Sequence, residues 1–251
     1  LINSFSKQEK RLFGEMSVVI VSPIYIPEPK WIQCMVNMVA YSWMQGLPIY
    51  QMAITERMVV DWARNSLARK AVDCSSEYTG KRYSHIFWLD ADHTFNPDLA
   101  CQLARHMALK EVDAVSALYY SRTGPTLPVA YVKDSSDNEY KHYPLIEVPN
   151  MLCEVDAFGF GACLMKREVF EIVPEPWFTI DYRAGEDIAF CVKAKKHGIR
   201  FFLDGQYKLG HVGPGPVIGE AEYRKHMEDN APLYAEKIKV GLGGTKHGVN
   251  I

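Results

Sequence analysis

The sequence has no C-x-x-C pair: its six cysteines, Cys34, Cys74, Cys101, Cys153, Cys163 and Cys191, are scattered. That spacing signals neither a zinc knuckle nor a redox dithiol, and most of the six sit in apolar runs, as reduced core thiols do. Long hydrophobic stretches are missing too. A membrane-spanning helix needs ~20 apolar residues, and the longest apolar window, Cys34 to Met44, is interrupted by Asn37 and Ser42. No secretion-signal pattern is visible in the polar, charged opening LINSFSKQEKRLFGEM. Reduced thiols without such a signal lead us to expect a cytoplasmic location. Neither sign of charge dominates: Lys+Arg is 28 and Asp+Glu is 30, a formal net charge of −2. That balance gives no general pull towards nucleic acid or an anionic membrane.

What is present is the composition of a globular protein, 48% hydrophobic and 23% charged over 251 residues, enough to bury a substantial core. Short β-branched or aromatic runs alternate with amphipathic ones. Strands are expected over 17–24, 48–53, 84–89 and 113–120, with helices over 28–45, 57–74 and 97–110 between them. This alternation predicts parallel strands with helices on both faces, and in such sheets ligands bind beyond the carboxyl ends of the strands. The second half reads differently. A hairpin is expected from strands 127–133 and 139–148 around DSSDN, then a strand over 151–157, a glycine-rich FGFGACLM, a short helix over 166–173, a helix over 185–197 and a strand over 200–203. A largely helical tail follows over 219–239, with a loose GLGGTKHGVNI end. One α/β domain with a mixed sheet is the simplest architecture, divided into a part over 17–120, a part over 121–218 and a C-terminal helix and tail over 219–251.

Four features carry chemistry. Asp90 and Asp92 flank Ala91 at the end of the buried run HIFWL, and like charges held that close destabilise each other unless a cation joins them. ARN, Ala63 to Asn65, lies on the helix before that strand. Glu186 and Asp187 follow Gly185 at a helix start, where acids also simply complement the helix dipole. His211 lies in LGHVGPGP, a sharply turning loop. His93, directly after Asp92 on an extended chain, should point to the other side and act only behind the ligands.

With VSPIY (Val21 to Tyr25) and FGFGA (Phe158 to Ala162), these motifs occur in an order that resembles a GT-A-fold glycosyltransferase of the family 2 kind, over roughly 17–213. The resemblance implies a Rossmann-like nucleotide-binding half and an acceptor-binding half around one mixed sheet. It implies a nucleotide-sugar donor, with UDP favoured by family habit, and Mn2+ or Mg2+ as cofactor. Asp92 would be the direct metal ligand, and Asp90 would meet the donor ribose and the metal's water shell. His211 would complete the metal site, or else be an ordinary loop residue. Pro23, Ile24 and Tyr25 would floor the nucleotide base, and Arg64, Asn65 and Ala91 would line the donor. Asp187 would be the base that takes the acceptor proton, with inversion at the anomeric carbon, and Glu186 would hold a sugar. Asp156, Phe158, Gly159, Gly161 and Trp177 would form the acceptor side, although a buried Trp177 is equally compatible with the sequence. Arg122, in LYYSRTGP, could reach a diphosphate or an anionic acceptor.

The chain departs from the family pattern at Leu67, where a glycine is common, and in the segment CSSEYTGKRY. It has no QxxRW-type motif, which favours transfer of a single sugar over processive synthesis. The acceptor is left open among a glycan, a lipid carrier, a protein side chain and a modified nucleobase. Two other readings stand beside this one. A sugar-1-phosphate nucleotidyltransferase would carry a glycine-rich loop where this chain has SPIYIPEPK, and a non-catalytic carbohydrate-binding protein would not need the four acids.

Overall fold

The computed structural model describes residues 4–24, 26–55, 57–109, 111–134, 141–180, 184–213 and 217–235. Tyr25, most of the DSSDN turn and the GLGGTKHGVNI end lie outside them. The first element, α1 (Lys7–Gly14), is one the apolar periodicity did not announce. Its signal is a capping box: Ser6 accepts from the Glu9 N–H while Glu9 caps the Ser6 N–H. Next come β1 (Val18–Ser22), α2 (Pro29–Met44), β2 (Ile49–Ile54), α3 (Val60–Asp73), β3 (His85–Leu89), the two-residue β4 (His93–Thr94), α4 (Leu99–Leu109) and β5 (Ala114–Leu118). Every residue of β1, β3 and β5 is buried, the pattern of strands covered on both faces. Two separate apolar clusters cover those faces, one containing Leu67 and Ala71 of α3, the other Met38 of α2 and Leu103 of α4.

The second half supplies β6 (Ala130–Lys133), β7 (His142–Pro144), β8 (Leu152–Val155), β9 (Ala157–Phe158), β10 (Ala162–Lys166), α5 (Val169–Ile172), α6 (Glu186–Lys195), β11 (Phe201–Lys208), β12 (Gly210–His211) and α7 (Glu220–Asp229). The main sheet runs β2-β1-β3-β10-β5-β11-β8. β1 is parallel to β2 and β3, and β11 is parallel to β5. β10 enters antiparallel between β3 and β5, so the expected all-parallel first half is split by a strand from the second. The mixed α/β sheet is therefore continuous through both halves.

Two boundaries matter for the site. α3 starts at Val60, not at Arg57, which leaves 57–59 as a loop beyond the carboxyl end of β2. The chain turns at Ala91 and Asp92 before entering β4, and β4 pairs with β12, placing His211 directly opposite His93.

Candidate active site

β1, β2 and β3 end on the same side of the sheet, at a cavity of about 490 Å³. Pro23, Ile24, Arg64, Asp90, Ala91 and Asp92 all line it. Thr55, Arg57, Met58 and Arg122 also line it. The first three follow β2 directly, so the strand-end rule that singled out Asp90 would have found them had it been applied to β2 as well.

Asp92 is the centre of a small cluster. His211 Nε2 lies 3.3 Å from Asp92 Oδ2, and His93 Nδ1 lies 3.1 Å from Asp92 Oδ1. One ligand atom from each of the three residues falls within 4.8 Å of the others. The His211 ring is oriented by its other nitrogen, which meets the Tyr120 carbonyl at 2.8 Å. A carbonyl only accepts, so Nδ1 carries the proton, and a neutral ring then aims the Nε2 lone pair at Asp92. This is how metal-binding histidines are held. Burial pushes the Asp92 carboxyl up, and only positive charge beside it, as on protonated imidazoles, would pull it below the usual carboxylate range. The 3.1 Å approach of His93 to Asp92 is not aligned as a hydrogen bond, and both atoms are buried without a partner. A carboxylate that faces the His211 lone pair at 3.3 Å and an unaligned His93 nitrogen at 3.1 Å is a poor arrangement for a proton network and a good one for a shared cation, so the donor set fits Mn2+ or a similar divalent ion.

The glycines around His211 are explained by crowding. A Cβ at Gly210 would lie 2.7 Å from Val217 Cγ1 and closer still to Thr94, which would block the β12–β4 ladder. A Cβ at Gly213 would sit 2.8 Å from Arg122 Nη1. Arg122 crosses that space to donate to the Val212 carbonyl and to pair with Asp92 Oδ2 at 2.9 Å.

The placement of His93 corrects the sequence expectation. The turn at Ala91 and Asp92 breaks the extended geometry that would have sent its side chain away. His93 is 1% exposed, its ring stacks on His211 with centroids 4.5 Å apart, and Tyr119 meets both rings edge-on. Tyr119, just past the end of β5, had no motif to flag it. Its hydroxyl accepts the Gly161 N–H at 3.1 Å, and burial pushes its pKa well above the ordinary tyrosine value.

A second charged group lies beside the cluster. The Arg64 guanidinium donates to Glu186 Oε1 at 3.0 Å and Asp90 Oδ2 at 3.2 Å, and it lies 5.6 Å from the ring centres of both Trp88 and Phe160. Burial would lower its pKa, but Asp90 and Glu186 hold it above the ordinary arginine value. Its Nη1 and the Asp90 Oδ1 are buried without partners. Burial, reinforced by the Glu186 charge and opposed by Arg64, pushes the Asp187 carboxyl up to about 6.

Four expectations are corrected. Asn65 is spent on the backbone: it donates to the Asp61 and Phe178 carbonyls and accepts from the Trp177 and Phe178 N–H groups, which leaves it no hydrogen bond for a donor sugar. Trp177 is buried, with its indole N–H given to the Phe170 and Val173 carbonyls, so it lines no groove. Phe158 is fully buried against Phe160 and Phe201. The carboxylate of Asp156 is occupied by Lys195 and by the Lys133 N–H. In FGFG the aromatic residues turn into the core and the glycines towards the site. A Cβ at Gly159 would overlap the Tyr119 hydroxyl and lie 3.3 Å from Asp187 Oδ2; one at Gly161 would lie 2.7 Å from His93 Cε1. The glycines thus admit Tyr119 and His93 rather than a sugar.

No protein-family model and no curated protein matches the sequence. Solved structures do match the fold. A197 from STIV aligns with a TM-score of 0.56 at 20% identity, over 79% of this chain and 86% of that one. Glucosyl-3-phosphoglycerate synthase from Mycobacterium tuberculosis, in complex with Mg2+ and uridine-diphosphate, aligns at 0.52 and 11% identity, over 96% and 83%. GalNAc-T7 with UDP, GalNAc and Mn2+ aligns at 0.51 and 12% identity over 89% of this chain, which spans 50% of its length. The chain has the GT-A glycosyltransferase fold. At these identities the GT-A likeness speaks for the fold, and what the site does has to come from its own residues. Among the described residues no helix is long and apolar enough to cross a membrane.

Proposed function

We propose that this protein is a metal-dependent glycosyltransferase that moves one sugar from a nucleoside-diphosphate sugar to an acceptor hydroxyl, with inversion. The observation that carries the reading is the Asp92–His211 contact, a carboxylate facing an imidazole lone pair at the mouth of a nucleotide-sized cavity. UDP is the first nucleotide to test, since the solved structures just described include complexes with UDP and Mn2+ or Mg2+.

In this reading Pro23 and Ile24 floor the base, and Asp90 faces the ribose. Asp92 and His211 hold the cation, which supplies Lewis-acid neutralisation of the departing diphosphate when bound. Arg122, already beside Asp92, offers its guanidinium fork to the same phosphates. Asp187 takes the proton of the acceptor hydroxyl as that oxygen bonds to the anomeric carbon and the bond from that carbon to the diphosphate breaks. A base near 6 suits this step, being ionised at neutral pH yet more basic than an ordinary aspartate. Glu186 and Arg64 tie the base-bearing end of α6 to the donor side. The part over 17–120 then holds the base, ribose and Asp92, and the part over 121–218 supplies the catalytic base, the acceptor side and, through Arg122 and His211, contacts to the phosphates and the cation. Six free thiols, four of them buried, are consistent with a reducing cytoplasmic setting.

Thermal unfolding with UDP, GDP or CMP, each with Mn2+ or chelator, tests the donor site. A ligand at ~100 times its Kd adds ~2.7 kcal/mol, a midpoint rise of roughly 5–10 °C for this length. A Mn2+-dependent rise with one diphosphate is expected; no rise with any of them would sink the proposal.

A further inference from the structure

A buried histidine normally has at least one ring nitrogen in a hydrogen bond, because an unpaired polar atom away from water is costly. His93 breaks that rule twice. It is 1% exposed, and neither Nδ1 nor Nε2 has a hydrogen-bond partner. Asp92 Oδ1 lies 3.1 Å from Nδ1 and is itself buried and unpaired. On the other side of the same carboxylate stands His211, whose tautomer is fixed by the Tyr120 carbonyl. Tyr119 packs edge-on against both imidazoles, and Gly161 leaves room for His93 Cε1.

Building on the glycosyltransferase reading, we propose that His93 is a third protein ligand beside Asp92 and His211, and that this one-carboxylate, two-imidazole face selects a first-row transition cation over Mg2+. The chemistry follows from the donor atoms. Mg2+ takes oxygen ligands, whereas imidazole suits Mn2+ and the ions that follow it in the Irving–Williams order. The two rings are stacked, with planes 12° apart, and parallel rings do not aim both lone pairs at one point. One ring therefore turns on binding, and it is His93, which has no hydrogen bond to lose.

The test measures binding rather than turnover. Mn2+, Co2+ and Mg2+ affinities are determined by titration calorimetry for the wild type and His93→Phe, with and without UDP. Phenylalanine keeps the ring that stacks on His211 and removes both nitrogens. The variant should lose about 100-fold or more for Mn2+ and Co2+, beyond the 10–100-fold effect of an outer-sphere partner, while Mg2+ affinity changes little. Equal losses for all three ions, or none, would overturn the assignment. Pulsed EPR of Mn2+ on the wild type decides the matter independently of how the variant folds: two coupled imidazole nitrogens are expected, and one refutes the proposal. Should Mn2+ bind with one imidazole and UDP still bind metal-dependently, only the role of His93 falls. Should the wild type bind no cation even with UDP, the glycosyltransferase reading falls with it.

Discussion

The carboxyl ends of β1 and β3 and the stretch from Asp156 to Trp177 carry equally suggestive motifs, but the structure treats them in opposite ways. At the strand ends, Pro23, Ile24, Asp90, Ala91 and Asp92 all face the cavity. In the later stretch, Phe158 and Trp177 are core and the Asp156 carboxylate is tied up in an ion pair. The difference is one of position within the element. Past the end of a covered strand a side chain has no neighbouring strand or helix to pack on and projects into the crevice. In the later stretch neighbouring elements claim the side chains whatever chemistry they could offer: the core takes Phe158, the Phe170 and Val173 carbonyls take the Trp177 indole, and Lys195 takes Asp156. From the second half the glycines, Arg122, Glu186, Asp187 and His211 reach the site.

The sharpest test of that contrast is Asp187, the acid of the second half proposed as the base. Asp187→Asn should bind donor normally and lose transfer by roughly 10²–10⁴-fold, the worth of a positioned base. Wild-type kcat should fall as pH drops through about 6. The stability effect runs the other way. The folded pKa stands above the ordinary 3.8, so the folded state holds its proton longer, and stability declines as pH rises from 3.8 to about 6. At ~1.4 kcal/mol per unit the cost above pH 6 is on the order of 3 kcal/mol. Asn, which carries no charge, should therefore melt higher than wild type at pH 8 and no higher at pH 4. Normal turnover by the variant would remove Asp187 as the base.

Phe158→Ala measures the other side of the comparison. As a fully buried ring against Phe160 and Phe201, it should cost about 3–5 kcal/mol of stability. The acceptor KM of the folded fraction should not change. A raised KM at unchanged stability would return Phe158 to the acceptor side.

Asp92→Asn should abolish the Mn2+-dependent part of nucleotide stabilisation, the ~2.7 kcal/mol expected at ~100 times Kd. Retained UDP affinity in Mn2+, measured by calorimetry, would show that the carboxylate is not a ligand.

Much of this was legible in the sequence. Strand–helix alternation located β1, β2, β3 and β5, and the order of the motifs gave the fold. The insertion of β10 between β3 and β5 was not legible, because no local pattern encodes which distant strand a segment joins. His93 was misplaced for a similar reason: extended geometry was assumed through Asp92, where the chain turns. Tyr119 had no motif, only a position just past β5; Arg122 was named for a diphosphate; and Asn65, in ARN, is an asparagine inside a helix, where propensity does not favour it. That oddity was real, but its cause was a backbone clamp on Trp177 and Phe178 rather than a ligand.

The smallest expected effect belongs to Asp156→Asn. The carboxylate is partly exposed, pairs with Lys195 and accepts the Lys133 N–H at 2.7 Å. Partly solvated pairs of this kind are worth about 0–1 kcal/mol, so the loss should be about 1 kcal/mol or less. Burial raises its pKa, but Lys133 and Lys195 bring it below the ordinary 3.8. A depressed pKa stabilises the folded state above 3.8, and that contribution fades as the carboxylate protonates below it. The gap between wild type and variant should then close below about pH 4. Acceptor KM at neutral pH is the deciding readout. If it is unchanged, Asp156 belongs to the frame that holds β6 against α6. If it rises while the melting curves coincide, the carboxylate leaves Lys195 for a sugar hydroxyl, and the acceptor side begins at Asp156 rather than at Asp187.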